Sequence, residues 1–303
     1  MIYTSENNWY SWQYGDDELF GRQTGGLAFK TRYSKYYGHV DNFGNELQKA
    51  AKSTLDYFPD LRPSILFSGG SESEIVLRTY INIGANPNVY IIRYEDDINI
   101  VDVSYAIAIC TSLNIKYNLI DFNIKKFYEN DAETISEQAQ IDVPAALPQL
   151  KFLNYVEGLP IYCSGDQSWY RTHDNYNIRG TWILKCYEHE AGWSKYIRYI
   201  NRPAIGEWLK WTPGLVLSYI DLNWFKKLIN DEYYGKLGVN STKLIGYREA
   251  YPDLIARQKL TGMETIRPLI DEFKAFLEKK YQGLPYRNEV VRTLEELRNE
   301  ITG

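Results

Sequence analysis

The stretch of this 303-residue chain best suited to chemistry is Phe67-Ser68-Gly69-Gly70-Ser71-Glu72-Ser73. Adjacent glycines let a backbone turn sharply and approach an anion closely. The hydroxyls of Ser68, Ser71 and Ser73, with the free N–H groups of a helix that follows, can hold phosphate oxygens. The same residues also make a serine-capped turn with no ligand, and the pattern alone leaves both readings open. Neither G-x-G-x-x-G nor G-x-x-x-x-G-K-[ST] is matched, since no lysine follows the turn. Cys186-Tyr187-Glu188-His189 sets a thiol and an imidazole three residues apart, but a structural zinc needs four ligands and no second pair is near. No G-x-S-x-G nucleophile elbow occurs.

The elements that would position this loop are legible from periodicity. Ser64 to Phe67 reads as a short buried strand, and Glu74 to Ile83 as a helix ended by Gly84. Asn88 to Tyr94 is a second apolar strand, Val101 to Leu113 a second helix, and Ile115 to Phe122 a third strand. Helical material near 124–157 precedes a further strand over Leu159 to Cys163. Strands alternating with helices predict right-handed crossovers and a parallel sheet covered on both faces. Ligands of such sheets bind at the carboxyl ends of the strands, here residues 68–73, 94–97 and 164–168. Residues 1–60 read as a strand- and turn-rich extension that ends in a helix from about Leu47 to Phe58. Residues 61–168 read as an alternating strand–helix core, and 169–303 as a helical lobe, with helical stretches expected at 203–211, 221–234, 266–282 and 287–301.

With the loop in this context, four segments in order resemble one family. Ser68-Gly69-Gly70-Ser71-Glu72-Ser73 is similar to the Ser-Gly-Gly-x-Asp-Ser loop of the ATP pyrophosphatases. Asp102-Val103-Ser104-Tyr105-Ala106, Ser164-Gly165-Asp166 and Pro252 to Lys259 look like segments of one branch, the synthetase domains of asparagine synthetase and β-lactam synthetase. The resemblance covers roughly residues 63–263. It implies an α/β, doubly wound parallel sheet of the adenine-nucleotide alpha-hydrolase type, with a mostly helical C-terminal lobe. It also implies an ATP-dependent, AMP-forming amide ligase.

In that resemblance Ser68, Gly69, Gly70, Ser71 and Ser73 cradle the pyrophosphate part of ATP, Lys259, within Arg257-x-Lys259, places charge on the phosphates, and Arg257 is expected beside it among the catalytic residues. Arg93 and Tyr94 would border adenine, Ser164 and Gly165 would face the nucleotide across the cleft, and Asp166 would orient or deprotonate the amine. Glu72 stands where the family has Asp, and is the expected Mg²⁺ ligand. The family's Ser-Gly-Glu-Gly-x-Asp-Glu is not continued here, since Trp169 replaces its second metal carboxylate. Asp174 is a further candidate for that carboxylate, and a relative that only binds nucleotide stays an alternative. With Met1-Ile2 at the start and about 60 residues before the core, no glutaminase domain is expected. The nitrogen would then come from ammonia, from an amine substrate or from a separate ammonia-supplying chain.

Composition sets the outer bounds. A net charge of −5 argues against a phosphate-backbone binder. The Trp- and Tyr-rich segment 169–224, interleaved with Arg171, Arg179, Lys185, Lys195, Arg198 and Arg202, is read as a pocket wall. A single-stranded nucleic-acid surface of a nucleobase-modifying enzyme is the alternative. Apolar runs are far too short to span a bilayer. Three dispersed cysteines (Cys110, Cys163 and Cys186) suit a reducing cytoplasm. The expected partners are a small carboxylate and an amine or ammonia, with no membrane, and with nucleic acid only in the less favoured alternative.

Overall fold

The computed structural model describes residues 9–14, 17–18, 29–164, 169–171, 182–222, 239–258, 260–281 and 288–303. Strands β1 (Tyr10–Tyr14), β2 (Asp17–Glu18) and β3 (Phe29–Tyr33) form a small antiparallel sheet in the order β2-β1-β3. Helix α1 (Phe43–Tyr57) follows, started by Asn42, whose side chain accepts the Asn45 N–H.

The central sheet contains β4 (Pro63–Leu66), β5 (Asn88–Tyr94), β6 (Asn118–Phe122) and β7 (Leu159–Ile161). Its order is β6-β5-β4-β7 and every pairing is parallel. Helices α2 (Ser71–Asn82) and α3 (Ile100–Ser112) link β4 to β5 and β5 to β6, stepping outward in one direction. Gly84, at φ +78°, ends α2 as its position after the last apolar residue predicts.

The chain then returns through α4 (Ile124–Asn130), α5 (Ala132–Ala139) and α6 (Leu147–Phe152) to β7, on the opposite side of β4. Right-handed crossovers place these two groups of helices on opposite faces. The side chains agree. Ile65, Val89, Ile91, Leu159 and Ile161 join a core with Leu47, Ile75 and Val103, whereas Leu66, Tyr90, Tyr94 and Phe122 join another with Ile135, Leu150 and Phe152. The sheet is therefore doubly wound, and its direction reverses between β4 and β7.

The C-terminal part, mostly helical among the described residues, also carries strands that its sequence does not predict. Strands β8 (Trp169–Arg171), β9 (Trp182–Tyr187) and β10 (Glu289–Thr293) form a second antiparallel sheet in the order β10-β9-β8. The expected helix over 287–301 divides at Thr293. Its hydroxyl accepts the Glu296 N–H while Glu296 reaches back to its backbone, a capping box that starts a helix only at Leu294. Val290 and Val291, β-branched, pair with β9 instead. The 203–211 stretch contains only a single 3₁₀ turn, Trp208–Lys210, and the expected helix at 221–234 lies mostly outside the described residues. Helices α7 (Gly192–Tyr199), α8 (Pro213–Ile220), α9 (Val239–Tyr247), α10 (Arg267–Tyr281) and α11 (Leu294–Thr302) complete the described elements.

Buried polar ties join the first and last parts of the chain. Trp9 Nε1 donates to the Trp211 carbonyl at 3.1 Å, and Trp12 Nε1 to Glu207 at 2.9 Å. Glu207 also binds Lys210 at 2.8 Å, whose ammonium lies over the Tyr10 and Trp12 rings. Trp193, Trp208, Trp211, Tyr196 and Tyr219 are all core residues, so the described part of the expected pocket wall is largely interior. The three thiols are free and buried, and desolvation raises their pKa values, those of Cys110 and Cys186 to about 11. Among the described residues, no helix is long and apolar enough to cross a membrane.

Candidate active site

The serine–glycine loop leaves the carboxyl end of β4, next to the point where the sheet reverses direction. Its conformation follows from its sequence. Gly69 adopts φ +75°, and a Cβ there would lie 2.8 Å from the Ala106 nitrogen and 2.9 Å from the Asp102 carbonyl oxygen. The loop therefore lies directly on the first turns of α3, an approach open only to glycine. Gly70 is ordinary by comparison. It is the N-cap of α2 at φ −76°, and a Cβ would meet only the Ser68 hydroxyl, at 3.4 Å.

The carbonyls of the loop are tied back into the protein. Gly70 O accepts from the Ser73 hydroxyl at 3.0 Å and from the Glu74 N–H at 2.9 Å. Gly69 O accepts from Arg257 at 3.5 Å. Ser68 and Ser73 hydroxyls lie 3.2 Å apart. The Gly70 N–H donates to Ser68 Oγ at 3.4 Å, and no side chain caps α2. The first-turn N–H groups of a helix have no partner within it, and its dipole adds partial positive charge there.

Two cavities flank the loop. The inner one is lined by Ser68, Glu72, Ser73, Tyr94, Gln149 and Ser164, among others, over an apolar floor that includes Leu66, Ile92 and Phe152. The outer one is bordered by Gly69, Gly70, Ser71, Lys243, Arg257 and Gln258. Glu72 and Asp102 line both. The cavities are thus two halves of one cleft at the strand ends, divided by the acidic first turn of α2. An apolar floor beside a hydroxyl- and N–H-rich rim suits a flat ring joined to a chain of phosphates.

Most of the residues expected from sequence meet here. Ser68, Gly69, Gly70, Ser71, Glu72, Ser73, Tyr94, Ser164 and Arg257 all border the cleft. Ser164 is fixed by donating its hydroxyl to the Gly206 carbonyl at 2.7 Å. Tyr94 is buried, and its N–H donates to Asn99 Oδ1 at 2.8 Å. Arg93 is not brought in. It alternates to the other side of β5 and pairs with Asp121 at 2.6 Å on the surface. Gly165, Asp166 and Lys259 lie outside the described residues, as does Asp174. The flanks of Lys259 are described: Arg257 and Gln258 border the outer cavity, and Thr261 and Met263 the inner one. Asp102 holds this segment by accepting the Leu260 N–H at 3.0 Å.

Arg257 takes a more structural position than its expected catalytic role suggests. Its guanidinium pairs with Glu74 at 2.5 Å, a carboxylate only 1% exposed that Arg78 also binds, at 2.7 Å. Arg78 in turn reaches Asp253 at 2.8 Å. Arg257 thereby fastens the C-terminal segment to α2 and steadies the Gly69 carbonyl. The residue missed by sequence reading is Lys243. It projects from α9 into the outer cavity and binds Glu72 Oε1 at 3.1 Å, with its side chain 11% exposed. A lone lysine in the unremarkable string Val-Asn-Ser-Thr-Lys-Leu offers no local signal of this.

No family model matches the chain, and no curated protein matches it. Among solved structures it is similar to NMN synthetase from Francisella tularensis, at 12% identity, covering 78% of this chain and 94% of that one with a TM-score of 0.35. It is also similar to NAD+ synthetase from Burkholderia Pseudomallei, at 12% identity, covering 80% of this chain and 91% of that one with a TM-score of 0.28. At these scores the likeness decides nothing about the activity.

Proposed function

We propose that the protein is an ATP-dependent, AMP-forming ligase that joins a small carboxylate to ammonia or an amine. The observation that carries this reading is the Ser68–Ser73 loop at the end of a central parallel strand, with its N–H groups and hydroxyls between two cavities and its carbonyls tied away. In this reading the adenosine part occupies the apolar inner cavity, beside Tyr94 and Ser164. The phosphates follow the loop toward the outer cavity, where Lys243 and the Lys259 segment supply positive charge.

A carboxylate oxygen attacks the α-phosphorus, and the bond from that phosphorus to the bridging oxygen of the β-phosphate breaks. Pyrophosphate leaves with the electron pair. The amine then attacks the acyl carbon of the acyl-adenylate, loses a proton to a base, for which Asp166 is the candidate, and expels AMP. Positioning and neutralisation of the leaving group supply most of the acceleration in such a reaction.

Magnesium commonly accompanies ATP, but the described carboxylates do not form a cage for it. Glu72 is engaged by Lys243, Asp102 by the Leu260 N–H, and no cluster of three metal-ligating side chains occurs among the described residues. No step is therefore assigned to a metal held by the protein.

The reading is tested by incubating the protein with ATP and a panel of small carboxylic acids, with and without ammonium, and following pyrophosphate and AMP. Acid-dependent release of both in equal amounts is expected. ATP binding without either product would identify a nucleotide-binding protein instead, and release of ADP and phosphate would refute the α-phosphorus chemistry.

A further inference from the structure

We propose that Lys243 is a phosphate-binding residue held in reserve by Glu72, and that an incoming polyphosphate displaces Glu72 from it. The proposal rests on the nucleotide reading of the loop, and departs from the metal-ligand role that the loop resemblance gives Glu72.

Three observations support it. First, the pair is long-range: Glu72 lies in the first turn of α2, and Lys243 comes from α9, 171 positions further along the chain. Helical proximity alone therefore does not explain the contact, since the fold has to bring the ammonium to the loop. Second, both residues line the outer cavity together with Gly69, Gly70 and Ser71, so Lys243 stands beside the backbone that would hold phosphate oxygens. Third, the pair is unequally buried. The Lys243 side chain is 11% exposed and that of Glu72 is 31% exposed. A carboxylate that retains contact with water can leave at lower cost than the ammonium, which must keep an anionic partner.

A pyrophosphate group carries more negative charge than one carboxylate and offers more acceptor oxygens. It should outcompete Glu72 for the ammonium, after which the carboxylate turns toward solvent. An ammonium 3.1 Å from Glu72 Oε1 also repels any divalent cation approaching that oxygen. Charge on the leaving group would then be met by a lysine from the C-terminal lobe where the resembling loop uses a metal carboxylate.

The test is calorimetric titration of the full chain with inorganic pyrophosphate, in excess chelator and without metal. Wild type should bind. Glu72→Gln keeps the side-chain volume and removes the carboxylate charge that competes for the ammonium, and should tighten binding about tenfold. Lys243→Met should weaken it about tenfold or more, and Lys243→Arg should stay within about threefold of wild type. The double variant separates pairing from simple repulsion, because the gain from Glu72→Gln should largely vanish when Lys243 is Met. Denaturation midpoints confirm that each variant is folded, and Lys243→Arg with Glu72→Gln keeps the test decisive if Lys243→Met is not.

Unchanged or weaker pyrophosphate binding by Glu72→Gln would overturn the proposal, as would an equal gain in both Lys243 backgrounds. A loss confined to titrations containing Mg²⁺ would restore Glu72 as a metal ligand. Wild type that binds neither pyrophosphate nor ATP would instead refute the nucleotide reading, and this proposal with it.

Discussion

The two glycines of the loop should respond very differently to alanine, although their sequence context treats them alike. At Gly69 the backbone sits at φ +75°, a conformation that costs an L-residue about 1–2 kcal/mol. The added methyl would also lie 2.8 Å from Ala106 N and 2.9 Å from Asp102 O. Both are backbone atoms of a helix packed on the sheet and have little room to give. Overpacking of this kind adds about 1–3 kcal/mol. Gly69→Ala should therefore lose about 2–5 kcal/mol, summing these two terms, against a typical total of about 5–15 kcal/mol. Gly70→Ala has an ordinary φ and one soft neighbour, the Ser68 hydroxyl at 3.4 Å, so only the weaker N-cap preference of alanine counts, about 1 kcal/mol or less. Urea unfolding of both variants and wild type, fitted with a shared slope, measures the difference. Relief of the strain must lift the loop off α3, so Gly69→Ala should also lose ATP affinity while Gly70→Ala keeps most of it. If Gly69→Ala proves as stable as Gly70→Ala, the packing of the loop on α3 is wrong.

Three further outcomes are expected. Lys259→Ala should abolish pyrophosphate release, and a variant with wild-type turnover would remove Lys259 from the chemistry. Arg257→Ala should cost about 3 kcal/mol by stripping one guanidinium from Glu74, which is 1% exposed. If it loses turnover with unchanged unfolding, Arg257 acts on the substrate and not on the fold. Burial lowers the Lys195 ammonium to about 8, with the Glu188 carboxylate opposing the shift. Between that value and the unfolded value of about 10.4 the unfolded chain binds the extra proton, so stability rises with pH across this window. Lys195→Met should be about 1–3 kcal/mol more stable than wild type at pH 7, with the gap closing toward pH 10. Parallel pH profiles of the two proteins would show that Lys195 titrates normally.

The loop and the sheet beneath it were legible because their signals are local. A run such as Val89-Tyr90-Ile91-Ile92 reads as a buried strand wherever it occurs, and paired glycines between strand and helix read as a tight turn. Arg93 marks the limit of that approach. Sequence places it at the strand end but does not say which face it takes, and the two-residue alternation of β5 sends it to Asp121 and away from the cleft. The second antiparallel sheet was missed for a related reason. Its strands come from 169–187 and 289–293, and pairing between such distant segments leaves no periodic mark in either.

Lys243 and Arg257 show what remains invisible until the chain is folded. Both are single cations in the C-terminal half, and both end on carboxylates of the first turns of α2, Glu72 and Glu74, which sequence separates by two positions. On the helix those positions point in different directions, one toward the cleft and one into the protein. The buried pair has little freedom to exchange, because Glu74 would be left without contact with water and with Arg78 alone. The Glu72–Lys243 pair can exchange, because Glu72, 31% exposed, has solvent to turn to. Thus two salt bridges of similar composition divide into a fastener and a displaceable contact. Burial makes that division, and it places the removable charge beside the backbone expected to receive phosphate.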